Sequence, residues 1–400
     1  MSGLSLDARR LAGIANWMQR YIDEDKYTGS SISIAQHGRV AYRACIGKRS
    51  LARDEPYTPD TIVRIFSMTK PITAVALMRF IERGVLHLDA RIDQFLPEFA
   101  NCYALRTGAR NIDEVEAVPA PTVHQLLTHT AGMTYSFNET LLAKAYAEQN
   151  IDFMPNAGGL AQATQRLAKL PLAFVPGQCW EYSVSMDVIG RLLEVLSGAS
   201  LREVMQQEVL QPLGMVDTDF YVPHAKVVRF ADCYLRTATA PLSLLDDARQ
   251  GWFTEGAVDT WSGGGGLVST LDDCLRFCEC LRQGGRIDAS GEYLLSPQTV
   301  DLMCSNHLCG DIASMGPLSW AEMPMTGVGF GIGGSVVLSP AQMRVPGSVG
   351  DYSWGGMAST YFWVDRKLGL SVVFFTQLVP SSSFPARAEL KALVHGALRF

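Results

Sequence analysis

The 400-residue chain predicts a mixed α+β fold, one domain built from both ends of the chain with a helical segment inserted between them. Three observations carry this reading. Strand-like runs come early, in GSSISIAQHGRVAYRACIG from Gly29, and return late, in VGFGIGGSVVL, STYFWVD and LSVVFFTQ. Between them, from about residue 86 to 260, helical segments alternate with long connections bearing Pro, Gly and Asn. Hydrophobic residues make up 48% of the chain and charged residues 18%, which suits a large packed core and not a disordered chain. The expected division is a discontinuous α/β domain from residues 1–85 and 260–400, and a helical domain from 86–259.

The elements follow in order. Leu11, Ile14, Trp17, Met18, Tyr21 and Ile22 recur at helical spacing and predict an amphipathic helix resting on the domain. Two β-prone runs then flank His37-Gly38, a hairpin turn. The short run TIVRIF leads into Ser67. Residues 68–83 are apolar nearly all round and stop at Gly84, the pattern of a buried helix. The middle holds PTVHQLLTHTAG, LAQATQRLAKL, VSMDVIGRLLEVLSG and LREVMQQEVLQPLG as helices, the third capped at Ser183 or Ser185. Late strands STYFWVD and LSVVFFTQ turn at 366–369, and a last helix covers about 385–400.

Composition removes several function classes. A net charge of −6 leaves no basic excess for phosphate contacts, so nucleic acid is not an expected partner. No stretch approaches the roughly 18 uninterrupted apolar residues of a membrane span. The charged N-terminus lacks the apolar core of a signal peptide, and nine scattered cysteines do not suggest a disulfide framework, so the expected compartment is the cytoplasm. Cys274, Cys278 and Cys280 lie on a helical apolar stripe, where cysteine behaves as a small hydrophobe. Cys304, His307 and Cys309 lack paired C-x-x-C spacing, so neither a metal nor another cofactor is expected.

Three motifs carry the chemistry. Ser67-Met68-Thr69-Lys70 puts a Ser and a Lys one turn apart on one helix face, at an N-terminus that favours developing negative charge. Taken alone, S-x-x-K equally describes a surface Ser and a snorkelling Lys. The apolar residues that follow place this pair at the start of a buried helix instead. The chain has only eight lysines, and Lys70 is the one with a Ser three residues before it. Tyr182-Ser183-Val184 comes just before a helix; a lone Tyr is more often packing with a satisfied hydroxyl. Trp354-Gly355-Gly356-Met357 precedes a strand, and its paired glycines permit close backbone approach or a plain turn. Gly263 to Gly266 could line a cleft or merely cap a connection.

In this order, SMTK, YSV and WGG resemble the serine β-lactamase and penicillin-binding-protein superfamily, most closely its family VIII carboxylesterases, from about Gly29 to the C-terminus. PTVHQLLTHTAGM and GGGGLVSTLDD are similar to that family too. The resemblance implies a β-lactamase-like fold, an antiparallel sheet flanked by terminal helices with an α-helical domain across the active-site cleft. It implies Ser67 as nucleophile, Lys70 and Tyr182 as its activators, and the N–H groups of Ser67 and Met357 as the oxyanion hole. The chemistry is coherent: a Ser hydroxyl needs a nearby base at neutral pH, and a phenol beside a cation ionises more readily. No G-x-S-x-G occurs, which argues against a Ser-His-Asp triad; His124 and His129 read as packing or hydrogen-bonding residues. Relatives that cleave β-lactams usually carry Lys-Thr-Gly where this chain has Trp354, Gly355 and Gly356, and an Asn where it has Val184. Both changes point to neutral, apolar esters as small-molecule substrates, with Trp354, Gly355, Gly356 and Val184 contacting them. The expected activity is a serine carboxylesterase acting on small to medium acyl groups. The alternatives are an acyltransferase using the same acyl-enzyme, or a β-lactamase or D-amino-acid peptidase. Met133, Tyr135, Phe137, Trp252, Phe253 and Trp320 could line an apolar pocket or be ordinary packing.

Overall fold

Eight strands form the central sheet of the computed structural model, which describes residues 5–152, 157–287, 291–320 and 322–399. They are β1 (Gly29–Gln36), β2 (Arg39–Ser50), β3 (Glu55–Pro56), β4 (Val328–Phe330), β5 (Ser335–Val337), β6 (Tyr352–Gly355), β7 (Tyr361–Asp365) and β8 (Leu370–Phe375). The spatial order is β4-β5-β6-β7-β8-β1-β2-β3, and every neighbouring pair is antiparallel. The join between the two ends of the chain is the β8–β1 pair, with Val373 opposite Ser33. The hairpin turn falls where expected: His37 and Gly38 have φ of 50° and 83°, the left-handed pair that a two-residue turn requires.

Side chains alternate across this sheet because a strand has a period of two. Ile32, Ile34, Trp363, Val372 and Phe374 face helices α1 (Gly13–Asp23) and the C-terminal helix, joining Trp17, Met18, Leu390 and Val394 in one core. Phe362, Val364, Val373 and Phe375 face the other way, into the larger core. That core contains α2 (Thr69–Glu82), α3 (Ser185–Ser197) and α4 (Leu271–Arg282); α5 (Ala386–Gly396) is the C-terminal helix of the first layer. The fold is therefore β-lactamase-like, an antiparallel sheet with terminal helices on one face and α4 packed on the other.

Local departures from expectation have local causes. TIVRIF yields only the two-residue strand Val63–Arg64, because the chain then tightens into the turn holding Ser67. VGFGIGGSVVL splits into β4 and β5 around Gly333, whose φ is 77°. Trp354 and Gly355 lie on a strand of their own, β6, as well as preceding β7. The cap of α3 is Val184 rather than either serine, and Ser183 instead bonds His129 and Ser185. The last helix ends at Gly396, and Leu398–Arg399 pairs with Ser5–Leu6. Within the middle segment, Cys233–Leu235 runs parallel to Leu378–Val379 and antiparallel to Ser243–Asp246, a small sheet tied to the C-terminal part.

Helix α2 positions the site. Ile72, Val75, Leu77 and Met78 are buried on it, each contributing about 1.5–3 kcal/mol. Together they offset the several kcal/mol that burying an ammonium group costs, which lets Lys70 sit inside.

Candidate active site

Ser67 lies in a 3₁₀ turn, Phe66–Met68, that runs directly into α2. Phe66 has a φ of 42°, a conformation that costs a bulky side chain energy and that marks sites held by their surroundings. The surroundings are two backbones. Ile65 donates its N–H to the Leu267 carbonyl at 3.1 Å, and its own carbonyl packs against Gly356, where a Cβ would come within 2.3 Å of it. Gly355 is as tightly placed: a Cβ there would lie 2.6 Å from the Arg387 guanidinium. The paired glycines thus let the end of β6 pass against the nucleophile's turn.

Lys70 is 0% exposed. Its Nζ donates to Ser67 Oγ at 3.1 Å, to the Tyr135 hydroxyl at 3.0 Å and to the Gly264 carbonyl at 2.7 Å, which uses all three N–H bonds of an ammonium. Tyr182 meets the same ammonium through its ring face, with Nζ 4.5 Å from the centroid. Among the described residues the Tyr182 hydroxyl has no hydrogen-bond partner. Its ring is fixed on all sides, by His129 at 4.9 Å, Tyr135 at 5.2 Å, Trp320 at 4.8 Å and Trp354 at 5.4 Å between centroids.

Tyr135 is the residue that the motifs did not single out as part of this cluster. Burial, with Tyr182 and the Asp187 and Asp152 carboxylates adding to it, pushes its phenol well above the usual range, so it stays protonated. The available signal was an aromatic two residues after PTVHQLLTHTAGM. His129 is neutral: burial and then the Lys70 charge push it well below its usual range.

Ser67, Tyr182, Trp354, Gly355, Gly356 and Met357 all line one cavity of about 660 Å³. Among the described residues neither Ser67 nor Met357 gives its backbone N–H to a protein acceptor. Of the six candidate pocket residues, Tyr135, Phe137, Phe253 and Trp320 line the cavity, whereas Met133 is buried elsewhere and Trp252 faces solvent. Val184 is a correction. It was expected at the substrate, but it is 0% exposed and absent from the cavity wall, because as the cap of α3 its apolar side chain turns into the core. Cys274, Cys278 and Cys280 are buried on α4; burial pushes Cys274 and Cys280 up to about 12, which disfavours the thiolate that a metal would need.

The beta-lactamase family model matches residues 14–396. The chain belongs to the beta-lactamase family. With the family comes the reaction class, that of a serine hydrolase. The chain is similar to esterase EstB of Burkholderia gladioli, 33% identical over 394 residues, covering 94% of this chain and 92% of EstB. It is also similar to monacolin J acid methylbutanoyltransferase of Aspergillus terreus, 29% identical over 86% of this chain and 84% of that one. Among solved structures it resembles EstCE1, a hydrolase with promiscuous acyltransferase activity, with a TM-score of 0.82 and 30% identity over 97% of this chain and 99% of EstCE1. Among the described residues no helix is long and apolar enough to cross a membrane.

Proposed function

We propose that the protein is a serine carboxylesterase that hydrolyses small-molecule esters of small to medium acyl groups through an acyl-enzyme on Ser67. The observation carrying this is the Lys70 Nζ to Ser67 Oγ hydrogen bond beneath a largely apolar cavity with Trp354 on its wall. Ser67 Oγ attacks the ester carbonyl, and its proton passes to the Tyr182 oxygen, which acts as a phenolate beside the Lys70 ammonium. The N–H groups of Ser67 and Met357 receive the oxyanion, each such donor contributing about 3–4 kcal/mol. The tetrahedral intermediate collapses, the alkoxide leaves with the proton just taken up, and the same pair then activates water against the acyl-enzyme.

The discontinuous part, 1–85 and 260–400, supplies Ser67, Lys70 and the β6 edge, while 86–259 supplies Tyr135 and Tyr182 from across the cleft. The compartment is the cytoplasm, supported by nine unpaired cysteines. Hydrolysis of p-nitrophenyl butyrate is expected from wild type and lost in Ser67→Ala; equal rates in the two would overturn the assignment.

A second reading keeps the acyl-enzyme and replaces water with an alcohol. Its support is the likeness to EstCE1 and to a methylbutanoyltransferase, together with an apolar cavity large enough for an alcohol acceptor. Partition between ester and free acid, measured against acceptor concentration, decides it: free acid as sole product at every concentration removes it.

A further inference from the structure

The mechanism above makes no use of a buried carboxylate that lies one residue away from Lys70 through a glycine loop. Asp187 is 1% exposed and sits in the first turn of α3, five residues after Tyr182. Its Oδ1 accepts the Ser262 hydroxyl and, at 3.0 Å, the N–H of Gly264. The carbonyl of that same Gly264 accepts Lys70 Nζ. One turn further along α2, Thr73 donates to the neighbouring Gly263 carbonyl at 2.8 Å. The loop is thus held from both sides, by two donors of α2 and by one carboxylate of α3.

The fit leaves no room for another residue type. A Cβ on Gly264 would lie 2.5 Å from Asp187 Oδ2 and 3.2 Å from the Tyr135 hydroxyl, and one on Gly263 would lie 2.5 Å from the Met186 carbonyl. These glycines were open between lining a cleft and capping a connection; Gly264 lines the cavity and also carries a catalytic contact.

We propose that Asp187 is a positioning residue for the nucleophile: it fixes Gly264 so that its carbonyl holds Lys70 against Ser67, and it supplies the buried negative charge that faces the Lys70 ammonium. This rests on the reading of Ser67 and Lys70 given above. The groups facing Asp187 are Lys70 from α2, Tyr135, Ser262 and Gly264 from the loops, and Asp152 at longer range. Burial pushes the Asp187 carboxyl up to about 6, against Lys70, Ser262 and Gly264, which pull it down. The carboxylate is therefore present at pH 7 and lost as pH falls through about 6.

Asp187→Asn tests this, because an amide oxygen still accepts from Ser262 and Gly264 while the charge is gone. Expected are a kcat reduced roughly 30- to 100-fold with KM within about 2-fold, an unchanged melting temperature, and loss of the acid limb near pH 6 from the pH–kcat/KM profile. Turnover within about 2-fold of wild type, with the acid limb in place, would overturn the proposal. Should Asp187→Asn not fold, Ser262→Ala carries the test. It keeps the carboxylate and removes a donor, so the acid limb moves to higher pH; an unmoved limb overturns the proposal equally. Should wild type turn over no ester, the proposed function fails. The same variants are then compared by the rate at which a fluorophosphonate labels Ser67, with the same pH signature expected and the same null result counting against Asp187.

Discussion

Lys70 and Lys391 are both buried, at 0% and 1% exposed, yet their ammonium groups meet opposite surroundings. Lys70 bonds three neutral oxygens, one of them the Ser67 hydroxyl. Lys391, on α5, bonds the Asp351 carboxylate at 2.6 Å. Burial, the largest single influence, pulls Lys391 down, Asp351, Tyr361 and Asp365 together pull it up, and the balance lies above the ordinary lysine range. Its proton is locked. Asp351, Asp365 and His395 bring ligand atoms within 4.8 Å of one another, but the positive charge such a group would recruit is already supplied by Lys391. Burial alone therefore does not mark a catalytic lysine; its acceptors do.

The largest expected effects come from exchanging each lysine for methionine. Lys70→Met should lower kcat/KM by about 10³-fold or more, since it removes the ammonium held against Ser67, and should cost less unfolding free energy than Lys391→Met, since Asp187 is not bonded to Lys70 and keeps its Ser262 and Gly264 donors. Lys391→Met should do the reverse. Stranding Asp351 should cost about 3–5 kcal/mol in urea unfolding, with kcat of the folded fraction changed only a few-fold. Similar activity losses in the two variants would erase the distinction.

Next come the two tyrosines at Lys70. Tyr182→Phe should reduce kcat by about 10²-fold, because it removes the hydroxyl assigned to proton transfer. Tyr135→Phe should reduce it about 10-fold, because Lys70 keeps Ser67 and Gly264 but loses one acceptor. A larger loss in Tyr135→Phe would transfer the proton-carrying role to Tyr135, whose hydroxyl is the one bonded to Lys70.

The same contrast shows how far the residues could be read in one dimension. Lys70 was legible because its partner Ser67 is three residues away and helix geometry supplies the contact. Lys391 was not, because Asp351 is 40 residues distant and the pair forms only when α5 docks on the sheet. Tyr135 and Asp187 escaped for the same reason: Tyr135 meets Lys70 across 65 residues, and Asp187 reaches it only through Gly264, far along the chain. The strands β1, β7 and β8 were readable because runs of β-branched and aromatic residues are a local signal. The placement of Val184 was not, because whether a valine faces a cleft or a core depends on how α3 is turned.

An effect smaller than that of Lys391→Met belongs to the same side of the sheet and separates its electrostatics from those of the catalytic cluster. His395 lies beside Lys391 and Asp365; burial first, then the Lys391 charge, lowers it to about 4, with Asp365 opposing. An unfolded histidine titrates near 6.5. Between those values the unfolded chain binds a proton that the folded protein refuses. The resulting stabilisation is complete above about pH 6.5 and is lost as pH falls toward 4. From pH 7 to pH 5 the loss is about 2 kcal/mol. His395→Gln should lack it, so its urea-unfolding free energy should fall by about 2 kcal/mol less than that of wild type over this interval. Because Ser67 and Lys70 sit among Met68 and Ile72 of the other core, whereas His395 follows Val394 of the first, the acid limb of kcat/KM should be the same in His395→Gln and wild type. An acid limb that moved with His395→Gln would mean that the two buried lysines are coupled through the sheet.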